Sequence, residues 1–207
     1  MTLKHEELLA MGRKMLRTEI ETLALLEQSL DDSFTTAVEM ILQNRGKLVI
    51  TGMGKSGLIA RKIAATLTST GTPTIFLHPA EASHGDLGII TSGDIVLALS
   101  YSGETDELRA VVNFAKSNGN TLIAMTGNAS SSLAQAADLH LNITAPKEDS
   151  VIDIVPTSST TAQLALGDAI ATALMYARGF RRVDFGRLHP GGYIERRIEM
   201  SENGGKE

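Results

Sequence analysis

Apolar positions in the first 44 residues recur mostly three or four residues apart, which is the period of an α-helix. The segment "SLDDSF" interrupts this period with residues that favour helix starts. The pattern therefore predicts two leading helices. The second is capped by Asp31, Asp32 or Ser33 and runs to about Gln43.

After Gly46 the pattern changes to short apolar runs rich in β-branched residues, which indicate buried strands. The runs are "KLVIT", "TIFL", "DIVLALS", "TLIAMT" and "DLHLNI", and helical segments lie at about 55–70, 105–118, 130–137 and 159–178. Strands that alternate with helices predict an α/β fold, here a doubly wound five-stranded parallel sheet behind the two N-terminal helices. Ligands of such sheets bind beyond the C-terminal ends of the strands.

Composition narrows the class of protein. The chain has 207 residues, 43% hydrophobic and 21% charged, which suits a single domain. No basic run suggests a nucleic-acid partner, and the absence of cysteine excludes disulfides, Cys–zinc sites and thiol nucleophiles. The N-terminus lacks the apolar core of a signal peptide, and no apolar run reaches the roughly 20 residues of a membrane span. We therefore expect a cytoplasmic protein with no membrane partner.

The loop after the first strand, "TGMGKSGLIAR", half-matches two nucleotide-binding motifs. A P-loop needs glycine where Val49 stands, and a dinucleotide fold needs an acid where the second strand ends in His78. Gly54 lets the backbone approach a ligand, and a helix beginning near Lys55 and Ser56 favours an anion. Because a lysine opposes the dipole at a helix N-terminus, Lys55 is expected to meet a bound anion or to serve chemistry.

The third strand leads into a second loop, "SYSGETDE", which offers the hydroxyls of Ser100, Ser102 and Thr105 at another predicted helix start. Hydroxyls at a helix N-terminus can cradle a phosphate, although Thr105 could instead form a capping box. A third hydroxyl cluster, "PTSSTT", is expected to cap the long helix through Thr160 and Thr161. Two phosphate-binding loops without a nucleotide motif predict a small phosphorylated ligand.

Four titratable side chains near these loops are candidates for acid–base chemistry. Glu107 lies one helical turn beyond the second loop, and Glu148 follows the fifth strand. His84 and His189 lie in loops flanked by Gly and Pro, where functional histidines are common. His78 has no comparable context.

Together the motifs "GMGKSG", "HGDLG", "SYSGET", "PTSSTT", "GDA" and "HPGG" resemble the sugar isomerase (SIS) domain family and, within it, the arabinose-5-phosphate isomerases. The resemblance covers about 47–192. It implies one SIS domain over 1–207, with leading helices at 1–46, a flavodoxin-like phosphosugar-binding core at 47–192 and a tail at 193–207. Longer members carry CBS domains after the SIS domain, and we expect none in this chain.

The resemblance implies interconversion of D-ribulose 5-phosphate and D-arabinose 5-phosphate, the precursor of Kdo in lipopolysaccharide and some capsules. It implies a homotetramer in which His189 reaches a neighbouring subunit's site, with no cofactor. The family's catalytic residues match Lys55, Glu107, Glu148 and His189, and its loop histidine matches His84.

For a cis-enediol mechanism we assign the phosphate to Ser56, Ser100, Ser102 and Thr105. Lys55 would stabilise the enediolate, and His189 would serve ring opening or oxygen proton transfer. Either Glu107 or Glu148 would be the carbon base. The scheme requires no metal. Two alternatives remain, another SIS phosphosugar isomerase such as a 3-hexulose-6-phosphate isomerase, and a non-catalytic phosphosugar-binding sensor.

Overall fold

The computed structural model describes residues 4–145, 148 and 154–190 of the chain. It begins with two helices, α1 (His5–Gln28) and α2 (Asp32–Gln43). Asp31 caps α2, because its carboxylate accepts a hydrogen bond of 2.9 Å from the Ser33 amide. The two predicted leading helices and the break between them are confirmed.

The five predicted strands form one parallel sheet. They are β1 (Leu48–Gly52), β2 (Thr74–Leu77), β3 (Ile95–Leu99), β4 (Thr121–Thr126) and β5 (Leu139–Asn142). Their order across the sheet is β2-β1-β3-β4-β5, the flavodoxin-like arrangement that the sequence predicts. The order reverses between β1 and β3, so the ligand crevice is expected where these two strands end.

Six further helices follow within the described residues: α3 (Gly54–Ser69), α4 (Pro79–Ala82), α5 (Arg109–Ser117), α6 (Ser132–Ala136), α7 (Ser158–Arg178) and α8 (Arg182–Arg187). The helix predicted from about residue 105 starts as a 3₁₀ turn, Asp106–Leu108, and becomes α-helical at Arg109. Gly179 ends α7 with a φ of 62°, as its predicted C-cap role requires. No helix in the described ranges is long and apolar enough to cross a membrane.

Alternate residues of the inner strands β1, β3 and β4 fill two hydrophobic layers, one on each face of the sheet. In β1, Leu48 and Ile50 belong to the layer that includes side chains of α2, α3 and α7, whereas Val49 packs with Leu108 and Val111 on the other face. Both central strands, β1 and β3, are buried along their whole length. This is the expected pattern for a parallel sheet covered on both faces.

Helix α7 lies against α1, α2 and α3 and fixes the position of α3. Lys62 of α3 pairs with Asp168 of α7, its Nζ lying 2.6 and 2.8 Å from the two carboxylate oxygens. The helices approach closely at Gly167, where an added Cβ would lie 2.5 Å from two atoms of Ile63. The N-terminus of α3 is therefore held beside that of α7.

Candidate active site

The glycine loop is a tight turn between β1 and α3. Gly54 has a φ of 58°, which glycine adopts without strain. A Cβ on Gly57 would overlap the carbonyl oxygen of Gly52, so the helix could not pack this close to the strand with any larger residue. The G-x-G-x-x-G spacing thus reflects a close strand–helix turn, whose free amides face the crevice.

Two side chains of this turn face different surroundings. Lys55 is exposed, and no hydrogen bond or ion pair joins it to the part of the chain that the structure describes. Ser56 is half-buried, and its hydroxyl oxygen accepts a hydrogen bond of 3.1 Å from Nε2 of Gln163. The sequence analysis did not identify Gln163 because it stands in the interior of a long helix.

The second loop is organised by its own hydroxyls. Ser100 is buried, and its Oγ lies 2.8 Å from Oγ1 of Thr105 and accepts a bond of 3.0 Å from the Gly103 amide. Ser102 accepts a bond of 3.2 Å from the Glu104 amide. Thr105 makes no side-chain capping bond, so the capping-box alternative is wrong. The hydroxyl of Thr105 is turned into the loop, towards Ser100.

The sheet brings the two loops together. Gly52 at the end of β1 is in register with Leu99 at the end of β3, so Ser56 and Ser100 follow adjacent strand ends. Glu107 lies in the turn just beyond the second loop and is exposed. No hydrogen bond or ion pair joins it to the residues that the structure describes.

Unlike Glu107, Glu148 is hydrogen-bonded, because its carboxylate caps the N-terminus of α7. It accepts bonds from the amides of Thr157 (2.8 Å), Ser158 (2.9 Å) and Ser159 (3.1 Å), from the Thr157 hydroxyl (3.1 Å) and from the Ser159 hydroxyl. Burial would raise the pKa of Glu148, but the bonds from Ser159, Thr157 and Ser158 together outweigh it and hold the pKa below its ordinary value.

This cap corrects the expectation for the third hydroxyl cluster. The Thr160 hydroxyl donates to the Pro156 carbonyl at 3.0 Å and does not accept from the helix start. A carboxylate accepts several amide bonds and interacts favourably with the helix dipole, so Glu148 takes the capping place. Burial and the Glu148 charge raise the pKa of Tyr101, which indicates that Glu148 lies close to the second loop.

His189 is held in a defined orientation. Its ring stacks on Phe185 with centroids 4.1 Å apart, and its Nδ1 lies 2.9 Å from the Phe185 carbonyl oxygen. Because a carbonyl only accepts hydrogen bonds, Nδ1 carries the proton, and Nε2 of the neutral ring is left with its lone pair. This arrangement suits a proton-transfer group.

The residue before His189 borders a surface depression beside the second half of α3. Leu188 lines this depression together with Thr68, Ser69 and Phe76. Thr68 lies thirteen residues beyond Lys55 along this helix, about 20 Å at 1.5 Å per residue.

His84 is exposed and follows α4, a helix that contacts the turn carrying Glu107.

A cleft of about 450 Å³ opens beside Lys55, with Arg61, Phe76 and His78 in its wall. The Arg61 guanidinium lies 4.8 Å from the centre of the Phe76 ring, and His78 meets the same ring edge-on. The sequence analysis assigned no role to His78, although it directly follows a strand end. Among the described residues, no three His, Asp or Glu side chains converge as they would around a metal ion.

Comparison with known proteins identifies the family of this chain. The family model described as SIS domain matches residues 41–173. The arabinose 5-phosphate isomerase KdsD of Yersinia pestis is 50% identical over 187 residues, which cover 90% of this chain and 57% of the relative. The chain thus spans little more than half the length of this curated relative.

Two solved structures share the fold along their whole length. An Escherichia coli protein in complex with arabinose 5-phosphate is 39% identical, with a TM-score of 0.88 over 91% of this chain and 100% of the other. A Bacteroides fragilis phosphosugar isomerase described as putative and involved in capsule formation is 36% identical, with a TM-score of 0.85 over 90% of this chain and 99% of the other. The strand order, the hydroxyl-lined loop and these matches agree, and the chain belongs to the SIS domain family.

Proposed function

We propose that this chain is an aldose–ketose isomerase that interconverts D-ribulose 5-phosphate and D-arabinose 5-phosphate through a cis-enediol and supplies Kdo biosynthesis. The observation that carries the proposal is a hydroxyl-lined loop at a strand end adjacent to the one that leads to Lys55, with Lys55 and Glu107 unpaired among the described residues. The names of the relatives support the substrate, since one is an arabinose 5-phosphate isomerase and another was solved with arabinose 5-phosphate.

The phosphate is assigned to the two loops that end β1 and β3. Ser100, Ser102 and Thr105 offer hydroxyls, and Gly54 and Ser56 add the start of α3. Free amides at a helix start favour a phosphate, and the hydroxyls can donate to its oxygens. This placement puts the pentose chain across the crevice, within reach of the groups beyond the loops.

The hydrogen bonding favours Glu107 over Glu148 as the carbon base. A base needs a carboxylate with a free lone pair, and the oxygens of Glu148 already accept several bonds at the start of α7. The bonds that lower the pKa of Glu148 also make its carboxylate less basic. No hydrogen bond from the described residues occupies the Glu107 carboxylate, and Glu148 is assigned to holding α7 in place.

In the forward reaction the base takes the C2 proton of arabinose 5-phosphate while the C1 carbonyl oxygen gains a proton. The enediol then receives a proton at C1 as its O2 hydroxyl loses one, which gives the ketose. Lys55 is assigned to the charge that develops on these oxygens. His189 is assigned to ring opening or oxygen proton transfer through its free Nε2, and His84 to binding the substrate.

A homotetramer with shared sites is part of the proposal. Helix α1 exposes Leu8, Leu9, Leu16 and Ile20, each more than half accessible, which is a large apolar surface for one helix. Leu188, next to His189, borders the second half of α3 whereas Lys55 lies at its start, and this arrangement favours a histidine supplied by a neighbouring subunit.

A coupled assay with arabinose 5-phosphate, ribulose 5-phosphate and 3-hexulose 6-phosphate tests the function. Turnover of the two pentose phosphates alone is expected. Preference for the hexulose would indicate the other isomerase, and tight binding without any turnover would indicate a sensor.

The choice of base is tested by deuterium loss from C2-labelled arabinose 5-phosphate. Glu107→Gln should slow exchange by about 10²–10⁴-fold, the usual contribution of a general base, with an unchanged melting temperature. Glu148→Gln, the matched variant, should slow deuterium exchange much less than Glu107→Gln does. Its melting temperature should fall more. Wild-type exchange in Glu107→Gln would remove Glu107 from this role.

A further inference from the structure

Gln163 is a buried amide for which the proposed chemistry has no use. Its side chain on α7 is fully buried, and Nε2 donates to Ser56 Oγ at 3.1 Å. Its Oε1 is also buried and finds no partner among the described residues. An unpaired buried carbonyl destabilises a fold, and an apolar side chain of this size would avoid that cost. Stability therefore does not explain this residue.

The direction of the bond to Ser56 has a chemical consequence. An amide nitrogen can only donate, so the Ser56 oxygen accepts, and its own proton must point elsewhere. A phosphate dianion can only accept hydrogen bonds. Ser56 stands at the start of α3, where an anion is favoured. Gln163 thus leaves the Ser56 hydroxyl free to donate to an anion in the crevice.

The surrounding contacts hold Gln163 at a fixed distance from Ser56. Ser159, Gln163 and Gly167 are spaced four residues apart and share one face of α7. Ser159 at one end of this face binds Glu148, and Gly167 at the other packs on Ile63 of α3. The donor is therefore positioned from both ends.

We infer that Gln163 is a positioning residue that turns the Ser56 hydroxyl towards the substrate phosphate and thereby sets affinity for the phosphoryl group. The inference rests on the proposed function for the identity of the substrate, but its physical content is phosphate binding. Gln163 touches neither the sugar nor the reacting carbons. Its effect passes through Ser56.

The test is a double-mutant cycle of Gln163→Met and Ser56→Ala, read by turnover and by calorimetric titration with inorganic phosphate. Phosphate contacts far from the reacting carbons act equally on ground and transition states, so Gln163→Met should raise KM about tenfold and leave kcat within about twofold. The dissociation constant for phosphate should rise by a similar factor. In the Ser56→Ala background, Gln163→Met should have no further effect.

Two comparisons separate positioning from packing. Gln163→Met should not lower the melting temperature, because it removes the unpaired amide. Gln43→Met, the same exchange at an exposed position of α2, should leave KM and phosphate affinity unchanged. Additive effects of the two mutations, or unchanged KM and phosphate affinity in Gln163→Met, would overturn the inference.

Failure of the proposed function is distinguishable from failure of the inference. If phosphate affinities across the mutant cycle are as predicted but the wild type isomerises no pentose phosphate, the proposed function is wrong and the inference stands. If it isomerises the substrate and the cycle shows no coupling, the inference is wrong. A wild type that does not bind phosphate also overturns it.

Discussion

A single carboxylate, Glu148, joins the chain beyond β5 to the first turn of α7. Five amide and hydroxyl donors from Thr157, Ser158 and Ser159 meet it within 3.1 Å. A helix start has unpaired amides and a positive dipole end, so an ionised group is preferred there to a neutral one. A charged carboxylate accepts these bonds much more strongly than a protonated carboxyl group does, which makes the helix start sensitive to pH.

Glu148 should contribute stability that depends on pH in a defined direction. Its folded pKa lies below the ordinary value of 4.5, so the contribution is fully present above 4.5 and is lost as pH falls through the folded pKa. We expect the melting temperature of Glu148→Gln to lie below that of the wild type at pH 7. This difference should shrink as the pH falls below 4.5.

Thr160→Ala is the matched control for that measurement. Its hydroxyl donates to a carbonyl in the same first turn and carries no titrating group. The difference in melting temperature between Thr160→Ala and the wild type should therefore stay constant with pH. If the melting temperature of Glu148→Gln also differed from that of the wild type by the same amount at every pH, the carboxylate would not act through its charge.

At the scale of single residues, the rule that ligands bind beyond the C-terminal ends of the strands identified side chains that the structure brings together. Ser100 and Thr105 were identified because hydroxyls directly follow a buried strand, and the structure pairs them. The same rule could have identified His78, which directly follows β2, but no motif surrounds it. Gln163 had no local signal at all, since its partner Ser56 lies 107 residues away along the chain.

At the scale of elements, the contact between α3 and α7 depends on the small size of Gly167. In Gly167→Ala the new Cβ would lie 2.5 Å from two Ile63 atoms, so the Ile63 side chain must shift or the helices must move apart. Overpacking of this kind costs about 1–3 kcal/mol in the free energy of unfolding, measured by urea denaturation. Movement of the helices should also raise KM, because it separates Gln163 from Ser56.

Gly12→Ala is the opposite case on a helix surface. A Cβ at Gly12 meets nothing within 4 Å, and alanine is favoured over glycine inside a helix by about 0.5–1 kcal/mol. At a protein concentration where the chain is monomeric, Gly12→Ala should therefore raise the free energy of unfolding. Destabilisation of the monomer by both substitutions would contradict close packing as the cause at Gly167.

The elements themselves were largely predictable, for physical reasons that also explain the exceptions. The inner strands β1, β3 and β4 are apolar runs buried almost throughout, and β2 and β5 are shorter apolar runs at the sheet edges. Helix α7 shows its length and its glycine stop in the sequence. Helix α4 spans only four residues, and α8 only six, too short to show a period. The 3₁₀ turn before α5 has the same composition as a helix start and could not be distinguished from one.

At the scale of the whole molecule, the proposed site draws on two segments of the chain. Lys55 lies at the start of α3, and Leu188, next to His189, borders a depression beside the second half of the same helix. In the proposed homotetramer, a site takes its histidine from another copy. The apolar surface of α1 is available for such an assembly.

Complementation between inactive variants tests this sharing of sites. Lys55→Ala and His189→Ala should each be inactive. Lys55→Ala should fold with the wild-type melting temperature, because Lys55 is exposed and unpaired among the described residues. After co-expression in equal amounts, a site takes its lysine and its histidine from different subunits. Random mixing therefore gives about a quarter of the wild-type activity, the product of two one-half probabilities.

The outcome depends only on whether the lysine and the histidine of one site come from the same subunit or from two. If both groups came from one chain, every site of the mixed protein would lack one of them, and activity would stay at the level of the separate variants. Co-expressing Lys55→Ala with the double variant Lys55→Ala/His189→Ala is the control, since no combination of these chains supplies a lysine. Sedimentation of the mixed protein should give a species larger than the 22.0 kDa single chain, and a monomer with restored activity would contradict shared sites.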